Sequence, residues 1–115
     1  MQKKNVLSGK RNFDAVYRRG KSVGDRYVVI FYKKNNLSYN RIGFLASKKV
    51  GNAVARNRAR RLMKESVRLI EDLNFNGFDV IFIARNTINN RKCADVKKSI
   101  EAAIKKTAMV EKKRK

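Results

Sequence analysis

Six consecutive residues are the part of this sequence best suited to a chemical task. Positions 56–61 read Arg-Asn-Arg-Ala-Arg-Arg, which brings four guanidinium groups together within two helical turns. A guanidinium donates two parallel hydrogen bonds to a phosphate or to a guanine edge, and the amide of Asn57 can both donate to and accept from a base. These residue types in this spacing predict a surface that binds a polyanion.

The whole chain shares this positive charge. Its 115 residues include 30 Lys and Arg against 9 Asp and Glu, which gives a formal net charge of +21. Such self-repulsion weakens the folded state unless a polyanion neutralises it, and nucleic acid is the common polyanion. A merely solvated surface would mix the two signs more evenly. We therefore expect a protein that binds nucleic acid.

Side chains for catalysis by the protein itself are scarce. The chain has no His, which excludes Ser-His and Cys-His pairs, and its single cysteine, Cys93, can form neither an internal disulfide nor the usual Cys/His zinc site. The nine acids are scattered, and the only adjacent pair, Glu71 and Asp72, would diverge by about 100° on a helix. A two-metal nuclease needs converging carboxylates, so we expect no catalytic residue and no metal ligand on this chain.

The basic segment is predicted to lie on a long helix from about residue 53 to residue 73, with Asn52 as its N-cap. At 100° per residue the apolar positions fall on one side, which would dock on a sheet, and most basic positions fall opposite. Glu65 is the only acid between positions 53 and 70, whereas an ordinary solvated helix intersperses Glu with Lys. The predicted cationic surface comprises Asn57, Arg60, Arg61, Lys64 and Arg68, with Arg56 on its boundary, Arg58 near its far edge, and Lys48, Lys49 and Asn52 at the start of the helix.

Three apolar segments predict a mixed sheet. Residues 27–32 and 41–47 are rich in β-branched and aromatic side chains and flank a turn-rich stretch, which predicts an antiparallel hairpin. Residues 79–84 form a third strand, and the basic helix would connect it to 41–47 as a parallel βαβ crossover. A connector over 21–25 has room for a brief strand.

Two further helices complete the predicted fold. One is short, contains Phe13 and Tyr17 on one face, and ends at Gly20; the other spans residues 94–109. The order is α-β-β-α-β-α, an α+β fold built as a two-layer α/β sandwich. We expect one domain over residues 1–115, with basic tails at about 1–8 and 110–115.

Composition also bears on location. A single cysteine is typical of a reducing compartment, and no apolar run reaches the roughly 18 residues that a membrane span needs. We therefore expect a cytoplasmic protein that does not associate with membranes.

Aromatic side chains form a second candidate site. Phe13 and Tyr17 share one helix face, and Tyr27, Val29 and Phe31 share one face of the first long strand. If that face of the sheet is open, these rings could stack on unpaired bases, as they do on single-strand platforms. If helices cover it, the same rings are core residues. The pattern alone leaves both possibilities open.

The order of these motifs resembles the protein subunit of bacterial ribonuclease P. The resemblance rests mainly on residues 48–61, which read KKVGNAVARNRARR, and on the downstream string DVIFIAR at 79–85. Upstream, FDAVY at 13–17, GKSV at 20–23 and RIG at 41–43 occur in the same order and spacing as in that family. The similarity covers roughly residues 5 to 108.

The resemblance implies a partner and a division of labour. In that family a large catalytic RNA, which holds the Mg²⁺ ions, removes the 5′ leader of precursor tRNA, and the protein assists. The arginine helix would face the catalytic RNA, and a cleft between the sheet and the first helix would hold the leader. The fold would resemble a ribosomal-protein fold with a left-handed βαβ crossover. The leader-binding positions that the resemblance implies are Phe13, Tyr17, Val29, Phe31, Ser47 and Lys48. Two positions depart from the family pattern: Leu45 replaces a residue that is often small and polar, and Phe31 lacks a hydroxyl that relatives can carry.

Two other functions are weighed against this one. A structural RNA-binding protein of the ribosomal type would share the charge but would need no aromatic cleft. A protein-only nuclease would need the catalytic side chains that the sequence lacks. We expect a protein component of ribonuclease P that is monomeric when free, with catalytic RNA and precursor tRNA as its partners.

Overall fold

The computed structural model describes residues 3–70 and 73–110 of the chain. It confirms an α+β fold with a mixed sheet, and it adds one strand in the segment predicted as a connector. The elements in chain order are α1 (Lys10–Arg19), β1 (Lys21–Gly24), β2 (Val28–Lys34), β3 (Arg41–Leu45), α2 (Ala53–Arg68), β4 (Phe78–Ala84) and α3 (Cys93–Lys105), with 3-10 turns at Lys3–Asn5 and Asn86–Ile88.

The sheet has the strand order β1-β2-β4-β3. The predicted hairpin between residues 27–32 and 41–47 is therefore wrong, because these two segments are separated in the sheet by β4. It pairs antiparallel with β2, where Tyr32 faces Val80, and parallel with β3, where Ile42 faces the same Val80. The parallel β3–α2–β4 crossover is confirmed. A central place suits β4, since Val80, Ile81 and Phe82 are all fully buried and only a central strand buries both faces.

Helices lie on both sides of this sheet. α2 and α3 cover one face, where Val28, Ile30 and Phe82 join Met63 of α2 in the main core. α1 lies on the opposite face, and its fully buried Val16 contacts Ile81 there. α1 is only ten residues long and covers that face in part. The predicted helical layer therefore covers one face of the sheet, and the face that carries α1 stays partly open.

α2 is shorter than its hydrophobic pattern predicts. It ends at Arg68 rather than near residue 73, and Leu69 is its C-cap. A helical projection of the sequence places Leu69 on the apolar side and Val67 outside it, but in the structure Leu69 is 43% exposed and Val67 is buried. The last helix likewise ends at Lys105 rather than 109. Hydrophobic periodicity marks which face is buried more reliably than where a helix stops.

The N-terminal segment is not a free tail where the structure describes it. Val6 forms a parallel bridge with Ile42 on the outer edge of β3, and the backbone N–H of Leu7 donates to the Ile42 carbonyl at 3.0 Å. Leu7 is only 3% exposed. The predicted tail over residues 1–8 is therefore wrong for residues 6 and 7, because one apolar side chain anchors the segment and protects a sheet edge. Residues 1–2 and 111–115 of the two predicted tails lie outside the described residues.

Two polar clusters fix the ends of the sheet. Arg41 of β3 makes a bidentate ion pair with Asp79 of β4, at 2.8 and 2.7 Å, and the Asp79 side chain is 6% exposed. At the β1–β2 turn, Asp25 accepts hydrogen bonds from Ser99 and Lys106, both at 3.0 Å. Burial raises the pKa of Asp25, but hydrogen bonds from the backbone N–H of Arg26 and from the side chains of Lys106 and Ser99 lower it overall.

Candidate RNA interface

The N-terminus of α2 is fixed by its cap. The side chain of Asn52 accepts a hydrogen bond from the backbone N–H of Ala55 at 2.9 Å, as the sequence predicts. Gly51 precedes it with φ of 145°, a conformation that L side chains rarely adopt. The side-chain oxygen of Asn52 is therefore occupied in starting the helix.

The predicted basic face of α2 lies on the solvent side of the helix. Ala59 and Met63 are buried beneath it, which leaves Asn57, Arg61 and Lys64 exposed and Arg60 half-buried. Among residues 3–70 and 73–110, four ion pairs form, and none includes Arg60, Arg61 or Lys64. These cations are free to bind an external anion. The half-buried Arg56 and the exposed Lys48 and Lys49, in the turn after β3, extend the same surface.

Two predicted RNA contacts are partly engaged within the protein. The guanidinium of Arg58 donates to the carbonyl of Arg91 at 3.1 Å, which directs it toward α3. Arg68 makes two hydrogen bonds with Glu65, at 2.9 and 2.5 Å. The hydrogen bond from Arg68 lowers the pKa of Glu65, and the Glu65 carboxylate in turn raises that of Arg68. Because Arg68 is already paired with Glu65, we expect it to contribute least among the predicted phosphate ligands.

A groove of about 610 Å³ runs beside the basic face. Asn57, Arg60, Arg61 and Lys64 form one wall, and the Asn57 amide oxygen accepts a hydrogen bond from Arg60. The edge of β3 and the N-terminal segment, through Val6 and Leu7, form the remaining walls. The sequence predicts the charged wall but not the groove, because the other walls depend on a segment predicted as a tail.

The aromatic residues divide between core and open face. Tyr27 and Tyr32 are buried in the main core, so Tyr27 does not share a face with Phe31 as predicted. The cause is that β2 begins at Val28, and its alternation does not extend back to Tyr27. Tyr17 of α1 is 40% exposed and meets the half-buried Phe31 ring edge-on, with centroids 5.0 Å apart. Burial, followed by the nearby Asp14 carboxylate, raises the pKa of Tyr17, so its hydroxyl stays protonated.

Beside this aromatic pair lies an apolar patch on the partly open face of the sheet. Val29 of β2 pairs with Ile83 of β4, which pairs in turn with Leu45 of β3, so the three side chains share one face. All three are half-buried. Ile83 was not predicted as a site residue, although the alternation along β4 places it opposite the buried Phe82. Ser47 and Lys48 are exposed just after β3 and lie at its C-terminal end.

Phe13 belongs to two sites. It packs on the α1 side of the sheet together with Phe31 and Leu45. It also lines the groove beside Arg60 and Arg61. Its position depends on Gly43, where an added Cβ would lie 2.9 Å from the ring of Phe13. The ring therefore lies next to both the apolar patch and the groove.

Fold and site together define the class: an α+β RNA-binding protein with a basic helix on one side of a sheet and a patch of aromatic and apolar side chains on the other. Among the described residues, no three Cys, Asp or Glu side chains cluster as metal ligands. No helix in this part of the chain is both long enough and apolar enough to span a membrane.

Comparisons with known proteins name the family. A family model described as Ribonuclease P matches residues 1–108. The ribonuclease P protein component of Caldanaerobacter subterraneus subsp. tengcongensis is 41% identical over 112 residues, and the match covers 97% of each chain. The ribonuclease P protein component of Clostridium botulinum (strain Langeland) is 44% identical over 108 residues, and the match covers 93% of this chain and 97% of that one. The chain belongs to the ribonuclease P protein family, which is the protein part of an endoribonuclease ribonucleoprotein that processes tRNA 5′ ends.

Solved structures agree with this assignment. The ribonuclease P protein of Staphylococcus aureus superposes with a TM-score of 0.80 at 27% identity, covering 91% of this chain and 96% of that one. The protein from Thermotoga maritima superposes with a TM-score of 0.79 at 26% identity, covering 89% and 96%. The resemblance drawn from the sequence motifs is thereby confirmed.

Proposed function

We propose that this chain uses its two sides to hold two RNAs in one ribonuclease P complex. The catalytic RNA contacts the basic face of α2, and the 5′ leader of precursor tRNA lies on the apolar patch beside Tyr17 and Phe31. The observation that carries the proposal is the separation of the two surfaces: α2 and α1 lie on opposite faces of the same sheet.

Charge supports the assignment of α2 to the catalytic RNA. A large folded RNA presents phosphates at high density, and a helix holds Arg60, Arg61 and Lys64 at fixed spacing. These side chains lose less conformational freedom on binding than cations on an unfolded segment would. The net charge of +21 also lowers the electrostatic cost of bringing two polyanions together.

The apolar patch suits a single strand better than a duplex. It consists of half-buried Val29, Leu45 and Ile83, and Tyr17 lies beside it with 40% of its surface exposed. Unpaired bases stack on such rings and apolar surfaces, whereas the bases of a duplex are already stacked on each other. A 5′ leader is single-stranded where it leaves the tRNA, so it fits this surface.

The chemistry of cleavage belongs to the RNA partner in this proposal. The described acidic residues do not fit a Mg²⁺ centre on this chain, because no three of them converge. Mg²⁺ ions bound mainly by the RNA would activate the water that attacks the phosphodiester. The protein's residues position the two RNAs and screen their charges.

Two finer points are part of the same proposal. The free protein is a monomer, which sedimentation equilibrium would test, and it works in the cytoplasm without binding membranes. The single free thiol of the half-buried Cys93 suits a reducing compartment.

A reconstitution experiment tests the proposed function. Purified protein, catalytic RNA and precursor tRNA are incubated singly and in every combination at low Mg²⁺. We expect rapid cleavage at the mature 5′ end only when protein and catalytic RNA are both present. Cleavage by the protein alone would indicate a nuclease, and no stimulation of the RNA would indicate a structural RNA-binding protein.

A further inference from the structure

The groove beside α2 has the form of a nucleotide site. Its volume of about 610 Å³ lies within the range of about 300–1,000 Å³ that is typical of ligand pockets. One wall carries the cations Arg60, Arg61 and Lys64, and the opposite walls carry the apolar side chains of Val6 and Phe44. A phosphate binds to a cationic wall, and a base packs on an apolar wall.

The apolar side of the groove is rigid. The ring of Phe44 stacks on Phe82 of the core with centroids 5.4 Å apart and planes 16° from parallel. Val6 is held against β3 by its bridge to Ile42 and by the buried side chain of Leu7 next to it. A base that enters the groove therefore meets a preformed surface, which reduces the entropic cost of binding.

The strand edge offers groups that can read a base. The carbonyl of Ile42 accepts from Leu7 and so points away from β4. Because backbone groups alternate along a strand, the N–H and C=O of Phe44 point to the same outer edge, where the groove lies. One donor and one acceptor at fixed positions can pair with the edge of a base, next to the amide of Asn57.

We propose that this groove binds one unpaired nucleotide of the catalytic RNA, with its base between Val6 and Phe44 and its phosphate on Arg60, Arg61 or Lys64. The inference rests on the proposed function, which places the catalytic RNA on α2. Charge complementarity selects an RNA over a protein segment, and the enclosing N-terminal wall excludes a duplex, whose bases cannot enter a concavity of this kind. Residues 3–8 are thus part of the RNA-binding surface.

Filling the groove without changing its charge tests the proposal. Val6→Trp places a large ring between the two walls at a position that is 45% exposed in the protein. Leu37→Trp is the matched control, since Leu37 is 38% exposed and lies outside the groove. Binding of catalytic RNA to each variant is measured by filter binding over a range of salt, after circular dichroism has compared their folding.

We expect Val6→Trp to weaken binding of the catalytic RNA on the order of tenfold, which is the loss of affinity expected when one base no longer stacks. The salt dependence of binding should be unchanged. Leu37→Trp should bind like the unmodified protein. Equal binding by all three proteins would overturn the nucleotide site while leaving the proposed function intact. Failure of the unmodified protein to bind catalytic RNA would remove both.

A second measurement needs no variant. Catalytic RNA that contains 4-thiouridine at random positions is bound to the unmodified protein and irradiated. We expect one crosslink that joins an unpaired nucleotide to a peptide that lines the groove, foremost one containing Phe44 or residues 3–8. Crosslinks that involve only paired nucleotides, or only peptides that do not line the groove, would overturn the proposal even if Val6→Trp failed to fold.

Discussion

Removing two arginines from the basic face should change the salt dependence of RNA binding by a calculable amount. Arg60→Ala/Arg61→Ala removes two cations that form no ion pair with any residue in the described part of the chain. Each phosphate contact contributes about 0.7 to 0.9 to the slope of log K against log salt, so the slope should flatten by about 1.4 to 1.8. At about 0.1 M salt the same relation corresponds to binding that is roughly 25- to 60-fold weaker.

The assay is a titration of catalytic RNA at salt concentrations from low to physiological. Arg68→Ala is the matched control, because Arg68 is already paired with Glu65 and its loss should flatten the slope far less. Arg60→Lys/Arg61→Lys keeps the charge and should keep the slope while losing the bidentate geometry. An unchanged slope in the double alanine variant would refute the argument that these arginines contact phosphate.

Three further outcomes are expected. Phe31→Ala should weaken binding of precursor tRNA to the assembled enzyme by about 1–3 kcal/mol and leave mature tRNA unaffected, with Phe31→Leu as the apolar control; equal losses for both substrates would make Phe31 a core residue. Asp79→Ala should lower the free energy of unfolding by about 2 to 3 kcal/mol in urea titrations, because it leaves the Arg41 side chain unpaired and only 25% exposed. A loss below about 1 kcal/mol would mean that the pair contributes no more than a surface ion pair. The hydrogen bonds of Asp25 lower its pKa in the folded protein despite the opposing effect of burial, so its contribution to stability is present above the unfolded pKa and is lost as pH falls below about 4. Urea titrations at several pH values should show this loss, and Asp25→Asn should remove that part of the pH dependence.

The functional helix could be predicted from the sequence because its information is local. A period of 3.6 residues places Ala59 and Met63 on one side and Arg61 and Lys64 on the other, and the structure agrees. The cap at Asn52 is equally local, since one side chain bonds to a backbone group three residues away. Such features depend little on the rest of the chain.

Strand order could not be predicted in the same way. Residues 28–34 and 41–45 lie close in sequence and have strand character, which is typical of a hairpin. What separates them is β4, more than thirty residues further on, whose Val80, Ile81 and Phe82 are buried on both faces. Pairing order depends on which strand has the most apolar surface to bury, and a local pattern does not compare strands with one another.

The groove was missed for a related reason. A single apolar residue, Leu7, anchors residues 3–8 to the edge of β3, and a single residue carries no periodicity. The partly open apolar patch was predicted only in part. Alternation identifies Val29 and Phe31, but whether α1 covers them depends on the length and placement of a ten-residue helix.

Site-specific crosslinking tests most directly the central claim that opposite sides of the sheet hold different RNAs. A photoreactive group is attached to a cysteine at Arg61→Cys or at Tyr17→Cys, each in a Cys93→Ser background, and the assembled complex with precursor tRNA is irradiated. We predict that position 61 crosslinks to the catalytic RNA and position 17 to the 5′ leader. If both positions crosslink to the same RNA, or if position 17 reacts equally with mature tRNA, the assignment of the two surfaces is wrong.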